Sequence, residues 1–154
     1  MLIIIIRLLF RKVLGLPKHS GSHLRNDPNV DNLMSEEMNM LSTIENKYHI
    51  LLPECYKSFY GLCTNSIPAK LVGTDIWNNK RFDLNEGAIE LLEEVGINNF
   101  LESDDFVFMM HQGYIFWYFK ANGNPDPIVY CYFENKLAPD SCGRFSDFIK
   151  EFTE

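Results

Sequence analysis

Three apolar runs in the second half of the chain constrain its fold more than any other feature. They cover residues 106–110, 114–119 and 128–133. Turn-forming stretches separate them, at residues 111–113 (HQG) and 121–127 (ANGNPDP). Because connections this short leave no room for a helical crossover, the runs predict antiparallel strands in a meander. Runs without polar alternation are typical of central strands that are covered on both faces.

Two stretches with helical periodicity precede these strands. Residues 34–48 and 53–63 each repeat apolar side chains every three or four positions, as one face of a helix does. Pro53 is favoured at the first helical position, so we expect the second helix to begin there. Residues 67–77 follow and are interrupted by a proline and a glycine, so they predict only a weak strand or a loop.

Terminal signals mark two further helices. Asp83 is the expected N-cap of the third helix, with Glu86 three residues later as in a capping box. Gly96 stands where that helix should end in a left-handed residue. Residues 145–152 predict a short amphipathic helix at the end of the chain, with Ser146 as its cap.

The order of these elements predicts the fold class. Helix, helix, weak strand, helix, three strands and helix indicate an α+β single domain, with an antiparallel central meander sheet and helices at the N-terminus, in the middle and at the C-terminus. The chain has 154 residues, 46% of them hydrophobic, which is enough for one buried core. The expected core includes Tyr56, Phe59, Phe116, Tyr118, Ile128 and Phe148.

The N-terminal 32 residues differ from the rest, so we expect a tail over 1–32 and the folded domain over 33–154. Residues 1–16 are apolar but interrupted by Arg7, and they are shorter than the roughly 20 residues that cross a bilayer. Residues 17–32 are polar and rich in turn formers, as in a linker. Two other interpretations stay open. They are a membrane-surface helix and a reading frame extended upstream of the true start.

The charge distribution disfavours contact with nucleic acid. The formal net charge is −7, and residues 34–154 carry nine basic and 19 acidic residues, a net of −10. Such a body repels phosphates and is steered toward basic partners. We expect no direct nucleic-acid binding and no membrane association. The densest acidic stretch is a candidate partner-binding surface, although a solvated helix face explains it equally well. It comprises Glu86, Glu90, Glu93, Glu94, Glu102, Asp104 and Asp105.

The sequence offers no strong catalytic or metal-binding pattern. Cys131 and His111 are a conceivable nucleophile and base, but no flanking signature supports them. Asp104 and Asp105 are a conceivable carboxylate pair, and they are equally typical of a loop that ends in solvent. The four cysteines form no C-x-x-C pair and the histidines are scattered, so we predict no metal and no cofactor. Free thiols in a reducing cytoplasm are expected.

Several segments together resemble the SUKH superfamily, whose domain is also called Smi/Knr-like. Residues 44–59 contain LPECYKSF, which is similar to the opening motif of that family. Residues 108–116 (FMMHQGYIF) resemble its strand–turn–strand, 126–132 (DPIVYCY) its later strand, and 145–149 (FSDFI) its last helix. The resemblance covers residues 34–154 with the motifs in the right order.

The resemblance implies a non-enzymatic bacterial immunity protein. Such a protein binds and neutralises a cognate toxin domain of a polymorphic or contact-dependent toxin system, inside the cytoplasm of the producing cell. Many such toxins are nucleases, and nucleases are basic because they bind phosphates. One departure is the TNS stretch at residues 64–66, where members commonly carry Asn-Gly.

Three alternatives remain at this point. A regulatory adaptor of the cell-wall-synthesis regulator type has the same fold and also binds proteins. An enzyme would use Cys131 or the pair formed by Asp104 and Asp105. A membrane-surface protein would be anchored by residues 1–16.

Overall fold

The computed structural model describes residues 39–77, 83–133 and 136–153. The predicted tail over 1–32 lies outside these residues, so the domain boundary near residue 33 stays a prediction. The start of the first predicted helix also lies outside them.

The described elements follow the predicted order, with a 3₁₀ turn and a fifth strand added. The helices are α1 (39–48), α2 (Glu54–Asn65), α3 (Leu84–Glu94) and α4 (Phe145–Thr153), and a 3₁₀ turn spans Ala69–Leu71. The strands are β1 (Thr74–Ile76), β2 (Asp105–His111), β3 (Ile115–Lys120), β4 (Ile128–Phe133) and β5 (Asp140–Arg144).

The five strands form one antiparallel sheet in which spatial order equals chain order, β1-β2-β3-β4-β5. The predicted α+β domain with a central meander is therefore confirmed. The weak strand expected within residues 67–77 is the short strand β1. The sequence prediction missed β5, because DSCGR lacks apolar alternation and contains a glycine. It is an edge strand that pairs with β4 through a register shift beside Val129.

The central strands are covered on both faces, as their apolar runs predicted. Every residue of β2 and β3 is buried except the last of each. On one face, Tyr56 of α2 packs against Phe106 and Phe119, with ring centroids 5.2 and 5.6 Å apart, and against Phe145 of α4. These rings form the centre of the core.

The connection between α3 and β2 helps to cover the other face of the sheet. Phe100, in the α3–β2 connection, lies over Tyr132 at 5.3 Å and over Phe116 at 6.3 Å. Tyr118 stacks on Tyr130 beside them, with centroids 5.6 Å apart. Phe116 and Tyr118 therefore share this face, whereas Trp117 contacts Phe148 on the opposite one.

Side chains protect the part of β2 that β1 does not reach. β1 pairs only with residues 109–111 of β2, so backbone groups of Asp105 and Val107 lie beyond it. The buried amide of Asn85 donates to the Asp105 carbonyl at 3.2 Å and accepts from the Val107 N–H at 2.8 Å. Trp77 Nε1 donates to the Val107 carbonyl at 2.6 Å. Two side chains thus provide the hydrogen bonds that β1 does not supply to this part of the β2 edge.

Helix boundaries agree with most of the terminal signals. The Asp83 carboxylate accepts hydrogen bonds from the N–H groups of Asn85 and Glu86, which confirms it as the N-cap of α3. Gly96 has φ +75°, as its position required. Pro53 is the N-cap of α2, which begins at Glu54, one residue after the predicted start.

Two sequence predictions are wrong. Ser146 does not cap α4, since the helix begins at Phe145 and Ser146 lies in its first turn. Its groups donate to Asp126, a residue that sequence proximity did not link to it. Ile128 does not belong to the core, because it is 36% exposed at the first position of β4.

Candidate functional site

The seven acidic residues of the predicted surface fall into two groups. Glu86, Glu90, Glu93 and Glu94 are exposed on α3, and Glu102, Asp104 and Asp105 lie just before and at the start of β2. Of the first group, Glu86 pairs with Lys47 at 2.7 Å. Within the described residues, the other three α3 glutamates form no ion pair.

The second group converges on one cation. Lys120 Nζ lies 2.8 Å from Glu102, 3.2 Å from Asp104 and 3.2 Å from Asp105. The hairpin register creates this cluster, because β2 and β3 pair Asp105 with Lys120. Burial lowers the pKa of Lys120, but the three carboxylates outweigh it and hold that pKa above its usual range. One ammonium faces three carboxylates, so the cluster keeps an excess of negative charge.

Asp105 has a structural role within this cluster. Its side chain is 4% exposed, and it accepts a hydrogen bond from the Glu102 N–H at 2.8 Å. Burial raises the pKa of its carboxyl, and this effect is larger than the lowering by the backbone N–H and by Lys120. Asp105 therefore fixes the loop before β2. Glu102, which is 73% exposed, is the member most available to a partner.

Two depressions flank the α3–β2 loop. One, of about 390 Å³, lies between this loop and α3 and is bordered by Ile89, Leu92 and Glu93. The other, of about 460 Å³, lies between the loop and the sheet. Residues 97–100, Glu102 and Asp105 border both depressions. We call this pair of depressions the acidic groove.

The sheet side of the acidic groove combines aromatic, apolar and charged groups. Its wall includes the stacked pair Tyr118 and Tyr130, Leu137, and all of the Lys120 cluster except Asp104. Leu137 is 85% exposed, the most exposed of the large hydrophobic residues in the described part of the chain. A surface of this composition suits a ligand with apolar stems and positively charged ends.

The conceivable catalytic pair is not assembled. Cys131 is fully buried on β4 opposite Trp117, and His111 ends β2 opposite Ile115. Since β3 lies between β2 and β4, the two side chains are two strands apart, roughly 10 Å. A hydrogen bond with Cys142, together with burial, raises the pKa of Cys131, which disfavours the thiolate a nucleophile needs.

Other features of the described residues bear on function. All four cysteines are free thiols. Within the residues that the structure describes, no group of three or more His, Cys, Asp or Glu side chains is placed to hold a metal ion. No helix in the same part of the chain is both long and apolar enough to cross a membrane.

No pattern in the sequence predicts the groove as a whole, but one half of it has a signal there. A short hairpin between β2 and β3 places the residues before β2 beside the end of β3, so the meeting of Asp104, Asp105 and Lys120 followed from the predicted turn. Tyr130 and Leu137 offered no such signal, because their place depends on how the chain runs after β4.

A family model described as the SMI1/KNR4 family (SUKH-1) matches residues 39–151. The chain belongs to this family. The match extends from α1 into α4, so the SUKH domain includes every strand of the sheet and both groups of acidic residues. No curated protein gives a significant match, and no solved structure does.

Membership narrows the possible roles. SUKH domains are generally non-enzymatic and bind other proteins, and the family suggests either an immunity role or a Smi1/Knr4-like role.

Proposed function

We propose that this SUKH protein is an immunity protein. It binds a cognate toxin domain of a bacterial polymorphic or contact-dependent system and neutralises it in the cytoplasm of the producing cell. It needs no cofactor and catalyses no reaction. The toxin domain is basic, as nucleases are.

The observation that carries this proposal is the excess of negative charge that the described residues carry around the α3–β2 loop. Glu90, Glu93 and Glu94 have no ion-pair partner in the described part of the chain, and the Lys120 cluster retains an excess of carboxylates. A negatively charged surface accelerates association with a basic partner. The same surface competes with the nucleic acid that such a partner binds. The same surface repels phosphates, which supports a protein partner over direct nucleic-acid binding.

Co-expression tests this function. The toxin domain encoded beside the gene is induced in cells with the SUKH protein, with a variant that has an early stop codon, or with an unrelated SUKH protein. We expect survival only with the cognate protein, and a stable complex of the two purified proteins. If the wild-type protein protects against no neighbouring toxin, the immunity function is wrong. The regulatory adaptor on the same fold then becomes the better explanation.

Salt dependence tests the electrostatic part of the proposal. Raising ionic strength from about 0.05 to 0.5 M shortens the Debye length severalfold. We expect the association rate constant with the toxin domain to fall by about tenfold or more, with a much smaller change in dissociation. An association rate that salt leaves unchanged would contradict electrostatic steering.

A further inference from the structure

We propose that the acidic groove is the docking site for a basic segment of the partner protein, an exposed stretch of chain that carries arginine or lysine side chains. The inference deepens the proposed function, because it places the contact on one face of the domain. It assigns the binding to the two depressions beside the α3–β2 loop rather than to the acidic helix as a whole.

The charge of the groove favours a cationic occupant. Among the described residues that line it, three carry a carboxylate, Glu93, Glu102 and Asp105, and one, Lys120, carries a positive charge. Lys120 keeps two carboxylate partners, Asp104 and Asp105, when Glu102 turns toward a ligand. A guanidinium or ammonium group can therefore bind Glu102 without leaving Lys120 unpaired.

The apolar part of the groove favours long side chains with an apolar stem. Leu137 and the half-buried ring of Tyr130 lie on the same wall as Lys120. The methylene stem of an arginine packs against Leu137, and its guanidinium stacks on a tyrosine face. A small anion would gain nothing from this wall.

The shape of the groove favours a chain segment over a single small cation. The two depressions have about 390 and 460 Å³ and share the loop residues 97–100 as a common wall. Each has the size of a binding pocket for more than one side chain. Basic side chains on either side of a short stretch of backbone can occupy both.

A peptide titration tests the groove without requiring the toxin. Capped peptides of six arginines, six lysines or six glutamates are added to the full chain at about 0.15 M salt. Backbone amide shifts are followed by NMR. We expect the arginine and lysine peptides to shift the amides of residues 97–102, Tyr118 and Lys120, and the glutamate peptide to shift none. Absence of shifts with the basic peptides, or shifts spread evenly over the acidic surface, would overturn the proposal.

Two double variants with the same change in net charge distinguish binding in the groove from attraction by the overall negative charge of the protein. Glu93→Lys with Glu102→Lys alters the groove, whereas Glu90→Lys with Glu94→Lys changes the net charge equally on residues of α3 that do not line it. We expect the groove variant to weaken arginine-peptide binding about tenfold and the α3 variant only about two- to threefold. Equal weakening would show that overall charge alone attracts the peptide, and the groove would then not be the site.

A pair of leucine variants tests whether the methylene stems of the peptide side chains contact the groove. Leu137→Ala alters the groove, and Leu51→Ala removes another largely exposed leucine that lies outside it. Both positions are exposed, so both variants should keep the wild-type fold. We expect only Leu137→Ala to weaken peptide binding. Because these measurements need no toxin, they can succeed even where the co-expression test of the immunity function fails, and the converse also holds.

Discussion

Asp126, in the loop between β3 and β4, accepts two hydrogen bonds from Ser146 in the first turn of α4. Its Oδ1 accepts from the Ser146 N–H and its Oδ2 from the Ser146 hydroxyl, each at 2.9 Å. A carboxylate near a helix N-terminus satisfies donors that the helix leaves free and interacts favourably with the helix dipole. A residue 20 positions away in sequence thus performs the role of a cap.

Replacing Asp126 with alanine should therefore destabilise the domain. Loss of both hydrogen bonds is expected to lower the free energy of unfolding by about 1–2 kcal/mol. Urea denaturation measures this change. Ser146→Ala removes only the hydroxyl contact and is the matched control, for which we expect a smaller loss. Equal stability of Asp126→Ala and wild type would contradict the capping role.

The hydroxyl of Tyr132 gives a prediction of opposite sign. It is buried and has no hydrogen-bond partner among the described residues, while the ring stacks on Phe116 at 4.8 Å. Tyr132→Phe keeps the stack and removes an unsatisfied polar group, so the free energy of unfolding should rise by about 1 kcal/mol.

Tyr48→Phe is the control for that measurement, because the Tyr48 hydroxyl donates to Asp83. We expect this variant to be less stable than wild type by about 1 kcal/mol. Loss of stability in Tyr132→Phe, measured by the same urea titration, would indicate that the hydroxyl has a partner after all.

Asn85 is the buried polar residue on which the edge of β2 depends. Asn85→Ala leaves the Asp105 carbonyl and the Val107 N–H without their side-chain partner, so we expect a loss of about 2–4 kcal/mol. Asn46→Ala, at an exposed position of α1, should change stability by less than about 0.5 kcal/mol. Hydrogen exchange at the Val107 amide provides a local readout, and its protection should fall only in Asn85→Ala.

Asp83 predicts how stability depends on pH. Burial raises the pKa of its carboxyl, but hydrogen bonds from Lys47, Tyr48 and the Glu86 N–H outweigh it and place that pKa below the ordinary 3.8. A depressed pKa in the folded state contributes stability above pH 3.8, and this stability is lost as pH falls through the folded value. Asp83→Asn should be less stable than wild type at pH 7.

The difference between these two proteins should narrow as pH falls below 3.8. Denaturation at pH 7 and at about pH 3 measures it. If the difference in free energy of unfolding stays constant across this range, the ionised carboxylate contributes nothing beyond what an amide provides.

The proposed domain boundary is tested by deletion. Removing residues 1–32 should leave the free energy of unfolding unchanged within about 0.5 kcal/mol, since that stretch has no periodic face suited to pack on the domain. Thermal and urea denaturation of the shortened and full chains provide the comparison. A much lower melting temperature of the shortened chain would place the apolar run of residues 1–16 within the fold.

The sheet was predictable where one local signal determined each strand. The apolar runs and short turns around β2, β3 and β4 set both their direction and their neighbours. The edge strand β5 was not predictable, because its pairing with β4 rather than its own composition makes it a strand. Local propensity is overridden in this way wherever a partner strand supplies the hydrogen bonds.

The polar contacts also divide into those that are local in sequence, which are predictable, and those between distant segments, which are not. The Asp83 cap lies within three residues of the N–H groups it binds, and the sequence reveals it. Asp126 and Asn85 act on backbone 20 or more residues away, so only the folded chain shows their roles. The groove depends on the joint placement of Glu93, Glu102 and Leu137, which belong to three separate segments.

The agreement between strand order and chain order has a consequence for synthesis on the ribosome. Each of the hairpins from β2 to β5 closes over a connection of three to seven residues, so it can form soon after its second strand emerges. Short loops cost little closure entropy, and sheets built from such neighbours fold faster than sheets with long-range pairing. A domain with this topology can therefore fold soon after its translation. This suits the proposed immunity role, because an inhibitor has to be present before a toxin made in the same cell accumulates.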